Sequence, residues 1–141
     1  MSAEFFDTNI ILYLLDEGPK TDIAERLLIQ RGMISVQVLN EALVNCRRKA
    51  AMSWDEAGMF LTGIRSLCHV CDLTPEIHDI GRALGERYGF SVYDAMIVAA
   101  ALSNDCTKLY SEDMHDGLVV EGQLQIINPF KIERAVTPAP K

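Results

Sequence analysis

The stretch Phe5-Phe6-Asp7-Thr8-Asn9-Ile10-Ile11-Leu12 places a single acidic residue between two apolar runs, close to the start of the chain. The first run predicts a buried β-strand that ends at Asp7. Thr8 or Asn9 then lies near the N-cap of a helix built from the second run. Open α/β sheets bind their ligands at the carboxyl ends of the strands, and no structural need places a carboxylate between two apolar segments. Asp7 is therefore the first candidate for chemistry.

Short apolar segments alternate with helical patterns along the rest of the chain. Strands are predicted near residues 33–36, 69–73, 107–110 and 125–127, and helices are predicted to begin near Thr8, Thr21, Val38, Ser53, Thr74 and Ser91. This alternation favours a parallel sheet built from right-handed crossover connections. The expected fold is α/β, a three-layer α/β/α sandwich with a short four- to five-stranded parallel sheet.

Several helix ends carry recognisable signals. Ser53 and Glu56 form a capping box, and Gly32 and Gly89 are expected to stop the helices that precede them. The helix that opens at Ser91 contains the unbroken apolar run 95–102, which predicts a central helix covered on every side.

The composition is that of a folded globular protein. With 141 residues, 49% of them hydrophobic, the chain suffices for one domain with a sizeable core. We assign this domain to residues 1–131 and expect the polar segment 132–141 to be a flexible tail. No segment approaches the ~20 consecutive apolar residues of a membrane span. Glu4 and Asp7 stand where a signal peptide has basic residues, so we expect a cytoplasmic protein.

The four cysteines are few and scattered, which agrees with a reducing compartment. Cys68 and Cys71 form a C-x-x-C pair, but this pair lies at a helix-to-strand junction rather than at the strand-to-helix opening that lowers a thiol pKa. No second such pair and no spaced histidine pair completes a zinc site. We interpret the cysteines as buried structural residues.

The net charge of -7 argues against generic, charge-driven binding to nucleic acid. It does not exclude a nuclease, because carboxylates gathered around a cation repel phosphate only until the metal is bound. An acidic surface also suits a basic protein partner.

Four acidic residues fall at positions that a parallel sheet would bring to one edge. Asp7 ends the first strand, and Glu41 lies early in the helix after the second strand. Asp94 lies in the first turn of the central helix, and Asp113 follows the fourth strand. Like charges a few ångströms apart resist joint ionisation, so such a cluster needs a cation. All-oxygen ligation favours Mg²⁺ or Mn²⁺, and one or two such ions activate water for phosphodiester cleavage.

Each acid also has a purely structural interpretation. Asp7 is a suitable N-cap, and Asp94 stands three residues after Ser91, as in a reciprocal helix cap. Counted at about 100° per residue, Glu41 lies nearly opposite the apolar stripe of its helix, which indicates a solvated side chain. The acidic loop after the fourth strand contains Asp116-Gly117, which is typical of a simple turn. Taken together, the four acids favour a site.

Five segments carry a family pattern, and they span nearly the whole chain in order. They are Phe6-Asp7-Thr8-Asn9-Ile10, Leu39-Asn40-Glu41, Ser91-Val92-Tyr93-Asp94-Ala95-Met96-Ile97, Leu109-Tyr110-Ser111-Glu112-Asp113-Met114 and Ile127-Asn128-Pro129-Phe130. In this order they resemble the PIN-domain ribonucleases, and within them the VapC-type toxins of bacterial and archaeal toxin–antitoxin pairs.

The resemblance implies a PIN-like domain with Mg²⁺- or Mn²⁺-dependent endoribonuclease activity on RNA. By position, the catalytic acids would be Asp7, Glu41, Asp94 and Asp113. The metal ligands would come from Asp7, Asp94 and Asp113, with Asp116 as a rival or partner for the last of them. The supporting residues would be Thr8, Asn9 and Ser111. The resemblance also implies a homodimer, and an antitoxin whose C-terminal segment occupies the active-site groove.

Two other functions remain open. Asp7 would be the nucleophile of a phosphatase or phosphotransferase, although the haloacid-dehalogenase-type signature has a second aspartate where this chain has Asn9. A non-catalytic binding module would keep the fold and act through partner contacts alone. The basic run Arg47-Arg48-Lys49 is interpreted as a solvated helix end, with contact to RNA phosphates as the alternative.

Overall fold

The computed structural model of the protein describes residues 3–131, and the tail predicted over 132–141 lies outside them. Its centre is one sheet with the strand order β3-β2-β1-β4-β6-β5. The strands are β1 (Glu4–Phe6), β2 (Gly32–Ser35), β3 (Cys68–Cys71), β4 (Lys108–Tyr110), β5 (Val119–Val120) and β6 (Leu124–Ile127). Five strands run parallel, which confirms the predicted sheet, and β5 pairs antiparallel with β6 at one edge.

Within residues 3–131, six α-helices connect the strands. They are α1 (Thr8–Leu12), α2 (Pro19–Ile29), α3 (Val36–Arg48), α4 (Trp54–Leu67), α5 (Pro75–Tyr88) and α6 (Val92–Ser103), and α1 continues as a 3₁₀ turn over Tyr13–Leu15. The chain passes outward from β1 to β3 and then back across the sheet to β4. Right-handed crossovers therefore place helices on both faces, as the α/β prediction requires.

The predicted capping signals are largely confirmed. Ser53 and Glu56 form a complete capping box at α4, and Gly89 ends α5 in the left-handed conformation with φ 79°. Gly32 does not end α2 as predicted. Arg31 takes the left-handed conformation after this helix, with φ 67°, and Gly32 already belongs to β2.

Gly32 is required where it stands because β2 passes very close to β1. A Cβ atom at this position would lie 2.7 Å from the carbonyl oxygen of Glu4 and 2.7 Å from the ring of Phe6. Phe6 is fully buried, so its ring has little freedom to move away. At this position β1 and β2 therefore lie so close together that only glycine, which has no Cβ atom, fits.

Replacement of Gly32 by alanine is expected to lower the free energy of unfolding by about 1–3 kcal/mol, the usual cost of overpacking a core. Gly63 in α4 is the matched control, because a Cβ atom there meets nothing within 4 Å. Gly63→Ala should instead stabilise the protein by about 0.5–1 kcal/mol, since glycine is a poor helix former. Chemical denaturation measures the free energy of unfolding of both variants. Equal values would contradict the claim that β1 and β2 leave no room for a side chain at position 32.

The core lies between the sheet and its helices. In α6 every residue from Ala95 to Ala101 is buried, which confirms the prediction of a central helix. Across the sheet, Phe5, Leu109 and Ile126 are fully buried. All four cysteines are buried and unpaired, and burial raises the pKa of Cys68 to about 11 and of Cys106 to about 12. Between residues 3 and 131, none of the helices has the length and apolar character needed to cross a membrane.

Candidate active site

Asp7 lies at the carboxyl end of β1, where the sheet positions it beside β4. Its backbone N–H donates to the carbonyl of Tyr110 at 2.9 Å, which continues the parallel ladder one residue beyond the strand. Its carboxylate Oδ1 accepts from the backbone N–H of Thr8 at 2.7 Å and so caps α1. Only 4% of the residue is exposed. Asp7 therefore has the predicted capping role, but a cap alone does not require burial of a charge.

Ser111 joins Asp7 to the acidic loop that follows β4. Its hydroxyl donates to Asp7 Oδ2 at 2.6 Å and accepts from the backbone N–H groups of Asp113 and Met114 at 3.3 and 3.2 Å. The side chain is fully buried. One hydroxyl thus fixes both the carboxylate and the direction in which the loop leaves the sheet.

Ser111→Ala is expected to lower the free energy of unfolding by about 1–3 kcal/mol. The change leaves the buried Asp7 carboxylate without its shortest hydrogen bond and two backbone donors without an acceptor. Ser103 at the exposed end of α6 offers a control whose replacement by alanine should change stability by less than about 0.5 kcal/mol. Thermal and urea unfolding measure both. A Ser111→Ala variant as stable as Ser103→Ala would contradict this assignment.

Asn9 brings Asp7 and Asp113 together. Its amide nitrogen lies 3.0 Å from Asp113 Oδ2 and 3.4 Å from Asp7 Oδ2, so a single donor contacts both carboxylates. Its amide oxygen accepts from the backbone N–H of Glu112 at 3.2 Å. The first turn of α1 and the loop after β4 are therefore joined directly across the site, as the shared sheet edge predicts.

Glu41 is half-buried, and its carboxylate contacts the first turn of α1. The Thr8 hydroxyl donates to Glu41 Oε1 at 2.8 Å, and the Gln37 amide donates to Oε2 at 2.8 Å. The helical pattern alone indicates a solvated side chain, but it does not show that α1 packs against α3 and presents Thr8 to this carboxylate. Gln37 is a supporting residue that the sequence reasoning did not identify, since a glutamine one turn before Glu41 is also an ordinary surface residue.

Asp94 lies in the first turn of α6 and completes the group. Its backbone N–H donates to the Ser91 hydroxyl at 3.3 Å, so the predicted Ser91 cap is present. Burial raises the pKa of the Asp94 carboxyl, the Ser91 hydroxyl opposes this rise, and the charges of Glu41 and Asp113 add to it. The carboxylate is thus close enough to both acids to feel them electrostatically.

The surroundings of Asp7 make its negative charge unfavourable. Burial raises the pKa of the Asp7 carboxyl to about 6, against the lowering effect of the Ser111 and Thr8 hydrogen bonds. The negative charges of Asp94 and Glu41 raise the pKa further. The surroundings of Asp7 therefore disfavour its charged form, and a bound cation would offset this.

Asp116 is directed away from this group. Its Oδ1 accepts from the backbone N–H of Asn128 at 2.8 Å, and its Oδ2 lies 3.8 Å from Lys131 Nζ. These contacts attach the acidic loop to the segment after β6. Asp113, which shares Asn9 with Asp7, is consequently the better candidate for the fourth acid.

The donors present suit a hard divalent cation. The four acids supply carboxylate oxygens only, with no thiolate or imidazole in the hydrogen-bonded group, and this donor chemistry fits Mg²⁺ or Mn²⁺. Within residues 3–131, no three His, Cys, Asp or Glu side chains are already arranged as a metal-ligand cluster. The acids are linked through Asn9 and Thr8 and through their charges, so their side chains would have to reorient before they could share an ion.

Lys20 fixes the far side of the acidic loop. Its ammonium group forms an ion pair with Glu112, and it lies 5.4 Å from the ring centroid of Tyr13 and 5.6 Å from that of Phe130. Tyr13 also donates to Glu112, and its ring packs edge-on against Phe130 at 5.0 Å. Sequence reasoning missed this cluster because its members come from three separate parts of the chain, residues 13–20, 112 and 130. The family segments that contain Glu112 and Phe130 do not indicate which side chains these two residues contact.

Comparison with known proteins gives a consistent result. The model of the PIN domain family matches residues 5–115. No curated protein matches the chain.

Three solved structures are similar in fold. A toxin–antitoxin complex from Klebsiella pneumoniae has 20% identity and a TM-score of 0.70 over 90% of this chain and 98% of that one. DNA-bound VapBC from Salmonella typhimurium has 23% identity and a TM-score of 0.66 over 89% and 97%. VapC20 from Mycobacterium tuberculosis, a toxin that cleaves the Sarcin-Ricin loop, has 21% identity and a TM-score of 0.63 over 76% and 87%.

Proposed function

The chain belongs to the PIN domain family, and on this premise we propose that it is a divalent-cation-dependent endoribonuclease and the toxin of a toxin–antitoxin pair. One observation carries the proposal: four acids from four separate segments converge at the carboxyl edge of the sheet. Asn9 joins Asp7 to Asp113, and Thr8 joins the first turn of α1 to Glu41. The charge of Asp94 reaches Asp7.

The proposed division of labour follows from burial and contacts. Asp7, Asp94 and Asp113 would hold Mg²⁺ or Mn²⁺, which supplies charge stabilisation at the phosphate and an activated water when bound. Glu41 is held by Thr8 and Gln37 with both carboxylate oxygens accepting, so its orientation is fixed before substrate arrives. From that position it can orient water and accept a proton. Thr8, Asn9 and Ser111 are positioning residues, because each acts through an acid.

The partners are proposed on the same premise. The structural relatives include toxin–antitoxin complexes, and we extend an antitoxin partner, but not any particular RNA target, to this chain. The net charge of -7 favours a basic antitoxin segment. A homodimer and a cytoplasmic location belong to the proposal as well.

The direct test is cleavage of RNA by purified protein without its partner. We expect internal cuts in a long RNA with Mg²⁺ or Mn²⁺ present, and suppression of these cuts when the antitoxin is added. Intact RNA after incubation with correctly folded, cation-loaded protein would contradict the proposal and favour a non-catalytic binding module.

The structure gives an argument against the phosphatase alternative. A nucleophilic aspartate must approach phosphorus, but both carboxylate oxygens of Asp7 are engaged, by Thr8 and by Ser111, and 4% of the residue is exposed. The absence of a phosphorylated Asp7 after incubation with phosphoryl donors is the expected result.

A further inference from the structure

A groove leads away from the acidic site along one side of α3. It has a volume of about 530 Å³, and its lining includes Gln37, Asn40, Glu41, Asn45, Arg48 and Tyr93. Glu41 lies at the end shared with the site, and Arg48 lies two helical turns further on, about 10 Å along the helix axis. The groove is therefore continuous with the place where the proposed reaction occurs.

The three basic residues at the end of α3 differ in their surroundings. Arg47 donates to the Met52 carbonyl at 2.8 Å and lies over the Trp54 ring at 4.5 Å, so it is used within the fold. Lys49 is the exposed C-cap residue of the helix. Arg48 lines the groove, and no residue in the described part of the chain pairs with it. It presents a planar, permanently charged group to whatever occupies the groove.

Tyr93 supplies an aromatic surface on the opposite wall. It lies in the first turn of α6 beside Asp94, and 63% of it is exposed. Its ring packs against no other aromatic ring among residues 3–131. Nearby, the Asn40 amide has no hydrogen-bond partner in the same part of the chain. An exposed ring, an available amide and an available guanidinium thus surround one groove.

We propose that this groove binds a single-stranded RNA segment next to the phosphodiester that is cut, with a base stacked on Tyr93 and a phosphate held by Arg48. Unpaired bases stack on aromatic side chains and hydrogen-bond to amides, whereas paired bases within a duplex do not offer a free face. The proposal rests on the proposed function and adds two recognition residues to it, Arg48 and Tyr93. Asn40 is placed to contact a base edge.

A protein segment is the competing occupant, and the lining favours RNA. The walls combine amides, a carboxylate, a guanidinium and one aromatic ring with a single aliphatic side chain, Val44, and the groove includes Glu41 of the acidic site. The overall charge of -7 makes a local cation more significant, because a phosphate chain is repelled elsewhere on the surface.

The first measurement is RNA binding without cleavage, using full-length Asp7→Asn protein and a fluorescein-labelled 12-nucleotide RNA at several salt concentrations. Arg48→Ala should weaken binding about tenfold and reduce the log–log salt slope by about 0.7, the value for one lost phosphate contact. Lys49 is the adjacent cation outside the groove, and Lys49→Ala should have a much smaller effect on both the affinity and the salt slope.

Tyr93→Ala should weaken binding by about fivefold to a hundredfold with an unchanged salt slope, since stacking carries no charge. Tyr93→Phe should retain the affinity, and Val92→Ala provides a matched loss of an exposed apolar side chain outside the groove. Affinities that are unaffected by both Arg48→Ala and Tyr93→Ala would overturn the proposal. Loss of self-association without loss of RNA affinity would overturn it as well and identify a protein interface.

The second measurement is kcat/KM for RNA cleavage by the same groove variants in the otherwise unaltered protein. Parallel losses in binding and cleavage support the proposal that the substrate RNA binds in the groove. Cleavage that depends on Asp94 but not on Arg48 or Tyr93 leaves the proposed function standing and removes the groove proposal. RNA binding that depends on Arg48 and Tyr93 in a protein that never cleaves supports the groove and removes the nuclease.

Discussion

Replacement of Asp7 by asparagine is expected to abolish RNA cleavage while the fold remains intact. Asparagine keeps the shape of the side chain and can still accept the Thr8 N–H that caps α1. It loses the negative charge, which the proposed cation requires. Residues that only support metal ligands cost roughly 10- to 100-fold when mutated, so loss of a ligand itself should exceed that range.

Asp79→Asn is the matched control for this prediction. Asp79 lies on α5, its side chain is 72% exposed, and its one ion pair, with Arg82, is long at 3.8 Å. Single-turnover cleavage and circular dichroism are measured on both variants. Cleavage by Asp7→Asn at the rate of Asp79→Asn, in a protein with an unchanged spectrum, would contradict the role given to Asp7.

Removal of divalent cations is the second change with a large expected effect. Chelation should abolish cleavage, and Mg²⁺ or Mn²⁺ in excess should restore it. The cation should also stabilise the protein, because it offsets the repulsion among buried and half-buried carboxylates. At about 100 times the dissociation constant, linkage predicts a gain of about 2.7 kcal/mol in the free energy of unfolding, which is several degrees in melting temperature.

The thermal shift also separates the two aspartates of the acidic loop. Asp113→Asn should lose most of the Mn²⁺-induced shift, since Asp113 shares Asn9 with Asp7. Asp116→Asn should keep it, because Asp116 contacts Asn128 and Lys131 instead. A full shift in Asp113→Asn together with none in Asp116→Asn would reverse the assignment. The absence of any shift in the parent protein would contradict cation binding.

The parts of the fold that were predictable are those decided locally. The capping box at Ser53 and the αL stop at Gly89 depend on a few neighbouring residues, and the sequence shows them. Strand β5 was not predicted, because two residues carry no periodic signal and the strand exists only through its pairing with β6. The sequence pattern predicts that Gly32 ends α2, but the helix ends earlier, at Ile29. Glycine is required at position 32 because β1 passes close to it.

In the candidate site, too, features decided by neighbouring residues were predictable and features decided by distant contacts were not. The position of Asp7 follows from the pattern of its own segment, since a strand must end where the apolar run ends. The orientation of Glu41 does not, because it is decided by the packing of α1 on α3 and by the Thr8 hydroxyl. Asp113 and Asp116 are three residues apart in one loop, and only the contacts with Asn9 and Asn128 distinguish them.

The central place of β1 in the sheet has a consequence for protein synthesis. β1 is made first, but its neighbours are β2 and β4, and β4 begins at Lys108. A nascent chain that still lacks β4 also lacks Ser111 and Asp113, which follow β4 in the sequence. The proposed set of four acids therefore cannot assemble until β4 and Asp113 have been synthesised.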